Sequence, residues 1–135
     1  MKLFLSILCA CVLLLSCKET IEDAKEDAVI KIMVSGQWSV TNYTRGTTSE
    51  TAQFSGYRFQ FYENGTVAAL KNGSMEKTGT WVGNTADLSI TSNFTTTMLP
   101  LSLLNGTFKI SNSGQTFVEA KMTVNGELHQ LRLDK

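Results

Sequence analysis

The chain of 135 residues is poor in the residues that staple small exported proteins or carry out most enzymatic chemistry: it has one proline, one histidine and three cysteines. Cys9, Cys11 and Cys17 all precede residue 18, so no disulfide can form within the rest of the chain. A single histidine, His129, cannot by itself build a metal site. Twelve basic residues balance twelve acidic ones. That removes the electrostatic reason to bind nucleic acid or to lie flat on an anionic membrane. No Gly-rich phosphate loop and no G-x-S-x-G occurs, and no Ser/His/Asp set or carboxylate pair on neighbouring strands stands out. Glu63, Glu76 and Asp87 fall beside expected turns, where solvated carboxylates are ordinary. The inventory points away from an enzyme, and no cofactor or metal is expected.

What is present begins with an address. Lys2 precedes an apolar run of 13 residues, Leu3 to Leu15, which Lys18 and Glu19 end. A bilayer-spanning helix needs about 20 apolar residues, so the run reads as a secretory signal peptide. Leu14-Leu15-Ser16-Cys17 resembles the lipobox of bacterial lipoproteins. That resemblance implies cleavage before Cys17 and diacylglycerol on its thiol, and two or more acyl chains give stable anchoring. The expected division is a signal peptide over 1–16, a lipidated Cys17 with a charged tether and helix over 17–35, and a β domain over 36–135. Lys18 stands where lipoproteins retained in the inner membrane carry Asp, so the resemblance implies the outer membrane, on its periplasmic face or at the cell surface.

Beyond Cys17 the pattern has two periods. Thr20 and Asp23 form a helix-start signal, and Ile21, Ala24, Ala28 and Ile32 recur at helical spacing, with Val29 and Met33 widening the stripe. Ser35-Gly36 ends it, which predicts a helix over 21–34. From Gly36 the period is two. Strands are expected over 37–43, 56–62, 66–70, 77–82, 87–91, 105–111, 115–124 and 127–133, with turns at Asn64-Gly65, Asn72-Gly73, Gly83-Asn84 and Asn125-Gly126. The run 95–104 breaks the rhythm, holds the only proline and predicts a longer loop. Its apolar part, Met98 to Leu104, reads either as a buried edge strand or as a lid or exposed patch at the barrel mouth. Five N-x-S/T triplets, at Asn42, Asn64, Asn72, Asn93 and Asn105, read as polar turn and strand residues.

The last hairpin can be read in register. A two-residue loop at Asn125-Gly126 sets Val124 against Glu127, then Met122 against His129, Ala120 against Leu131 and Val118 against Leu133. That face is apolar and should look inward. On the other face Lys121 meets Gln130, and Glu119 meets Arg132 as an opposite-charge pair.

Hairpin-length connections with no helical pattern between strands predict an all-β antiparallel meander, either two packed sheets or an up-and-down eight-stranded barrel, with a short N-terminal helix. Gly36-Gln37-Trp38 resembles the G-x-W signature of lipocalins, in which the Trp lies across the barrel floor. Tyr57-Arg58-Phe59-Gln60-Phe61 running into Asn64-Gly65-Thr66-Val67, then Gly79-Thr80-Trp81, extend the resemblance to the small lipocalin-like lipoproteins of Bacteroidetes bacteria over residues 36–133. It implies an eight-stranded lipocalin-like barrel and binding of a small apolar ligand.

Inward candidates are Trp38, Val40, Phe59, Phe61, Trp81, Leu88, Ile90, Phe108, Ile110, Met122 and Leu131. Of these, Trp38, Phe59, Phe61, Trp81, Phe108 and Met122, with His129 at the mouth, are the candidate ligand-binding residues. An eight-stranded barrel holds either packed side chains or one small ligand. Two functions are therefore expected as alternatives: a membrane-anchored, non-enzymatic binder of a small apolar ligand, or a filled barrel acting as an envelope structural or protein-interaction lipoprotein.

Overall fold

The computed structural model describes residues 29–135. The expected signal peptide, Cys17 and the first part of the expected helix lie outside them; residues 29–34 are helical. Nine strands follow: β1 (Ser39–Arg45), β2 (Thr48–Ser49), β3 (Tyr57–Phe61), β4 (Thr66–Lys71), β5 (Ser74–Asn84), β6 (Ser89–Asn93), β7 (Gly106–Ser113), β8 (Phe117–Val124) and β9 (Glu127–Asp134). They form one antiparallel sheet in the order β2-β1-β9-β8-β7-β6-β5-β4-β3.

The sheet curls until its two ends meet. Trp38 and Phe59 exchange backbone hydrogen bonds of 2.9 and 2.8 Å, joining the start of β1 to β3. Eight strands thus run round the curl as expected. The ninth, β2, is a two-residue flap on the end of β1. Beyond the single bridge, a 3-10 turn over Thr51–Phe54 packs against β1, and Phe54 drives a buried ring between Tyr43, Tyr57 and Phe59 at centroid distances of 5.6, 6.5 and 6.4 Å.

The last hairpin has the register that the sequence dictates, from Val124–Glu127 through Phe117–Asp134. Asn125 and Gly126 have φ of 50° and 81°, the left-handed pair that a type I′ turn requires. Glu119 and Arg132 do meet, at 2.6 Å. Its apolar face grades from closed to open: Val118 and Ala120 are buried, Met122 is half-buried and Val124 is exposed, because the tip projects past the barrel wall.

Leu88, expected inward, is 53% exposed. It stands in the turn before β6 with a φ of +48°, so the strand starts at Ser89 and not at Asp87. Ile110, also expected inward, is half-buried beside a bulge in β7. The 95–104 loop is there, but it holds no edge strand. Its second half winds into a 3-10 turn, Leu101–Leu104, with Leu101, Leu103 and Leu104 buried and Met98 and Leu99 exposed.

The two ends of the barrel differ. The floor end carries the helical residues: Met33 is buried and its carbonyl accepts the Trp38 indole N–H at 2.8 Å, while the Lys135 ammonium stands 4.9 Å from the Trp38 ring. The far end carries β2, the 51–54 turn, the 94–105 loop and the tip of the last hairpin.

Candidate functional site

The interior was the expected site, and it is almost full. The space at its centre measures about 30 Å³ and is lined by Phe59, Phe61, Phe94, Leu104, Phe108 and Leu131, among others. Holding one water takes on the order of 10–15 Å³ by the same measure, whereas ligand pockets run to about 300–1,000 Å³. Its lining is apolar except for Ser92, whose hydroxyl donates to the Leu104 carbonyl.

The seven candidate side chains do not converge on that space. Phe59, Phe61 and Phe108 line it. Trp38 lies below as the floor, fully buried. Trp81 packs edge-on against Phe61 at 5.2 Å, and its indole N–H donates to the Tyr62 carbonyl at 2.8 Å. Both Trp dipoles are therefore spent on backbone, which suits structural rings. Met122 stands at the far end, its sulfur against Gly106, where an added Cβ would fall 2.5 Å from it.

His129 is buried at the far end and belongs to a polar chain whose other members were not foreseen. Its Nδ1 is 2.8 Å from the Tyr43 hydroxyl, which also lies 2.8 Å from the Leu103 carbonyl. Its Nε2 faces the Glu127 carboxylate at 3.4 Å. Arg45 bridges Glu127 and the buried Glu50, at 3.6 and 3.2 Å. Burial pushes the Tyr43 hydroxyl far above its ordinary pKa; Arg45 opposes that and Glu50 adds to it. Tyr43 thus stays a phenol with one proton for two neighbours. If that proton goes to Leu103, Nδ1 donates to the Tyr43 oxygen. If Nδ1 accepts the Tyr43 proton instead, Leu103 loses that donor. Either way the chain ties β1 and β9 to the 3-10 turn that closes the far end. The Tyr43 hydroxyl and the His129 ring are buried and bonded to one another, and the hydroxyl also meets the Leu103 carbonyl, so the chain has the makeup of a latch on that turn.

Outside that closure lies an open groove of about 220 Å³, lined by Tyr57, Glu76, Lys77, Thr96, Met98, Leu99 and Leu101. Burial, assisted by a hydrogen bond with Glu76, pushes the Tyr57 hydroxyl up to about 12. On the barrel wall Arg132 grips both oxygens of Asp134 at 2.9 and 3.0 Å and lowers that carboxyl's pKa, although burial works the other way. Three of the N-x-S/T triplets bind local backbone: in turns the Asn64 side chain accepts from the Thr66 N–H and hydroxyl and Asn93 from the Thr95 N–H, and across the 94–105 loop Asn105 accepts from the Phe94 N–H.

No protein-family model and no curated protein matches this chain. Among solved structures, a duf4847 family protein from Bacteroides vulgatus is similar, with a TM-score of 0.57 and 16% identity over 78% of this chain and 96% of that one. An uncharacterized protein from Bacteroides eggerthii gives a TM-score of 0.49 and 15% identity over 73% of this chain and 98% of that one. The first likeness shows a shared fold.

Proposed function

We propose that this chain is a lipid-anchored, non-enzymatic envelope lipoprotein whose barrel is packed shut and which acts through its outer surface. The carrying observation is the 30 Å³ interior, which admits a water or two and no acyl chain. Cys17 carries the anchor, in the outer membrane, and the helical residues that follow it in sequence enter the barrel at the floor end. The far end then faces away from the lipid. It presents Met75, Met98 and Leu99, 58, 75 and 55% exposed, beside the Tyr57–Glu76–Lys77 groove, and this is where an envelope protein would be met.

The second reading, a binder of a small apolar ligand, draws on the almost wholly apolar lining of the central space and on Leu104 from the loop being part of it. It requires the Leu101–Leu104 turn to withdraw, which would expose three buried leucines unless the ligand replaced them.

Two experiments test the proposal. Cys17→Ala should move the protein from the membrane to the soluble fraction; continued sedimentation with membranes would refute the anchor. A photo-crosslinker at Met98 of the full-length protein in its native membrane should capture one recurrent protein, and one at Lys109 on the barrel wall should not. Capture of the same spread of proteins from both positions would count against a far-end contact.

A further inference from the structure

Three exposed apolar side chains gather at the floor end, the end that the tether enters. Tyr62 is 46% exposed, Val82 64% and Leu88 53%. Tyr62 follows β3, Val82 lies two residues before the end of β5, and Leu88 precedes β6. Register places Val82 on that rim, two residue pairs from the β5–β6 turn that holds Leu88, and hydrogen bonds hold the other two: the Tyr62 carbonyl accepts from the Trp81 indole at 2.8 Å, and the Leu88 carbonyl accepts from the Ile110 N–H at 2.7 Å. Leu88 is the most telling of the three. A left-handed φ of +48° suits Gly or Asn, and a leucine there is strained. The turn holds this large apolar side chain in water at that cost.

The tether says what covers the rim. Val29, the first described helical residue, reaches Gly83: a Cβ added at Gly83 would touch both the Trp81 ring and Val29. Cys17 lies 12 residues before Val29, a span of at most about 40 Å even fully extended. On the proposed anchoring of Cys17, on which this inference rests, the floor end is the part of the barrel held against lipid. Among the described residues, the charged side chains at that end are Lys31, Glu63, Asp87, Asp134 and Lys135, and Asp134 is paired with Arg132, so they set up no net field that drives or opposes the contact. Tyrosine suits the headgroup layer, where its ring is half-apolar and its hydroxyl stays wet. Met75, Met98 and Leu99 lie at the opposite end and cannot share that contact.

We propose that the rim of Tyr62, Val82 and Leu88 rests on the lipid surface in which Cys17 is anchored, through apolar contact that does not depend on lipid charge.

The mature chain has no cysteine but Cys17, whose thiol the lipid occupies, so a single introduced cysteine can be labelled alone. Val82→Cys, Leu88→Cys and Met98→Cys all change exposed positions. Each full-length acylated protein would carry a fluorophore at the new cysteine, in phosphatidylcholine vesicles containing nitroxide-labelled lipid. The expected result is several-fold stronger quenching at 82 and 88 than at 98, unchanged in high salt. Equal quenching at all three positions, in protein that carries the acyl mass and floats with the vesicles, overturns the rim contact and leaves the anchor standing. Protein that lacks the acyl mass and does not float overturns the anchor, and the rim contact with it. Quenching at 82 and 88 that needs anionic lipid also overturns the proposal.

Discussion

Trp38→Ala should destabilise the barrel by about 3–5 kcal/mol, the loss expected when a large buried aromatic is cut to a methyl. Three things fail together. The Trp38 side chain is 0% exposed, so its removal leaves a void beneath Phe59 that the rim cannot collapse into. The Met33 carbonyl loses the indole donor that holds the helical residues to the floor. Trp38 also sits on the one bridge that joins β1 to β3, so loosening it frees the seam of the barrel. Trp38→Phe keeps much of the ring but not the donor, and should cost about 1–3 kcal/mol, the range for stranding a buried polar group. Urea unfolding followed through the remaining Trp81 would measure both. A loss below about 1 kcal/mol for the alanine variant would show that the floor does not hold the barrel together.

Tyr43→Phe should cost about 2–3 kcal/mol while barely changing side-chain volume. The missing hydroxyl deprives both the Leu103 carbonyl and His129 Nδ1 of a partner at 2.8 Å, in a buried site. The damage should be local before it is global. The amides of Leu103 and Asn105, which donate to Pro100 and Ser102 within the 3-10 turn, should lose most of their exchange protection. Those of β8 should lose only as much as the global stability falls. Hydrogen exchange read residue by residue checks this. Uniform loss across the barrel would mean that the chain from Glu127 to Leu103 is not a latch on the far end.

The part of this fold that sequence could reach is the part where period two runs unbroken. Asn125-Gly126 sets its own turn, and eight pairs then follow from one choice of loop length, all of them realised. Tyr57, Phe59 and Phe61 face inward on the same logic. Tyr43 shows where that logic ends. Counting by twos from Trp38 and Val40 puts Asn42 inside. In the barrel a register shift between Val40 and Asn42 inserts an extra residue, and the fully buried side chain is Tyr43. A bulge leaves no mark on composition, so the tyrosine that holds His129 was invisible until the strands were paired. The inward place of His129 itself was legible from the hairpin. Leu88 fails for the opposite reason: its apolarity argues for burial, and only the left-handed turn shows that it faces water. In the stretch 98–104 the sequence allowed a buried strand or an exposed patch. The chain divides the two, with Met98 and Leu99 outside and the leucines inside, because a 3-10 turn and not a strand follows Pro100.

The barrel that results is polarised. Its floor is sealed by Trp38 and Met33, and its far end by Phe54, Leu101, Leu103 and Leu104 under the Tyr43–His129 latch. Sealing both ends removes the calyx that the lipocalin resemblance implies and leaves the two outer ends as the surfaces with exposed apolar side chains to offer. On the proposed reading, a closed barrel on a lipid tether is a spacer with a recognition face, and its stability serves to hold that face in one shape.

The most direct test of that closure is native mass spectrometry of the full-length protein, acylated at Cys17 on the proposed reading and taken from its own membrane, followed by titration with palmitate. The expected spectrum shows the acylated chain alone, with no bound adduct before or after titration and no change in Trp38 and Trp81 emission. A stoichiometric apolar adduct, or a saturable shift in that emission, would contradict the packed interior and return the barrel to the ligand-binding reading.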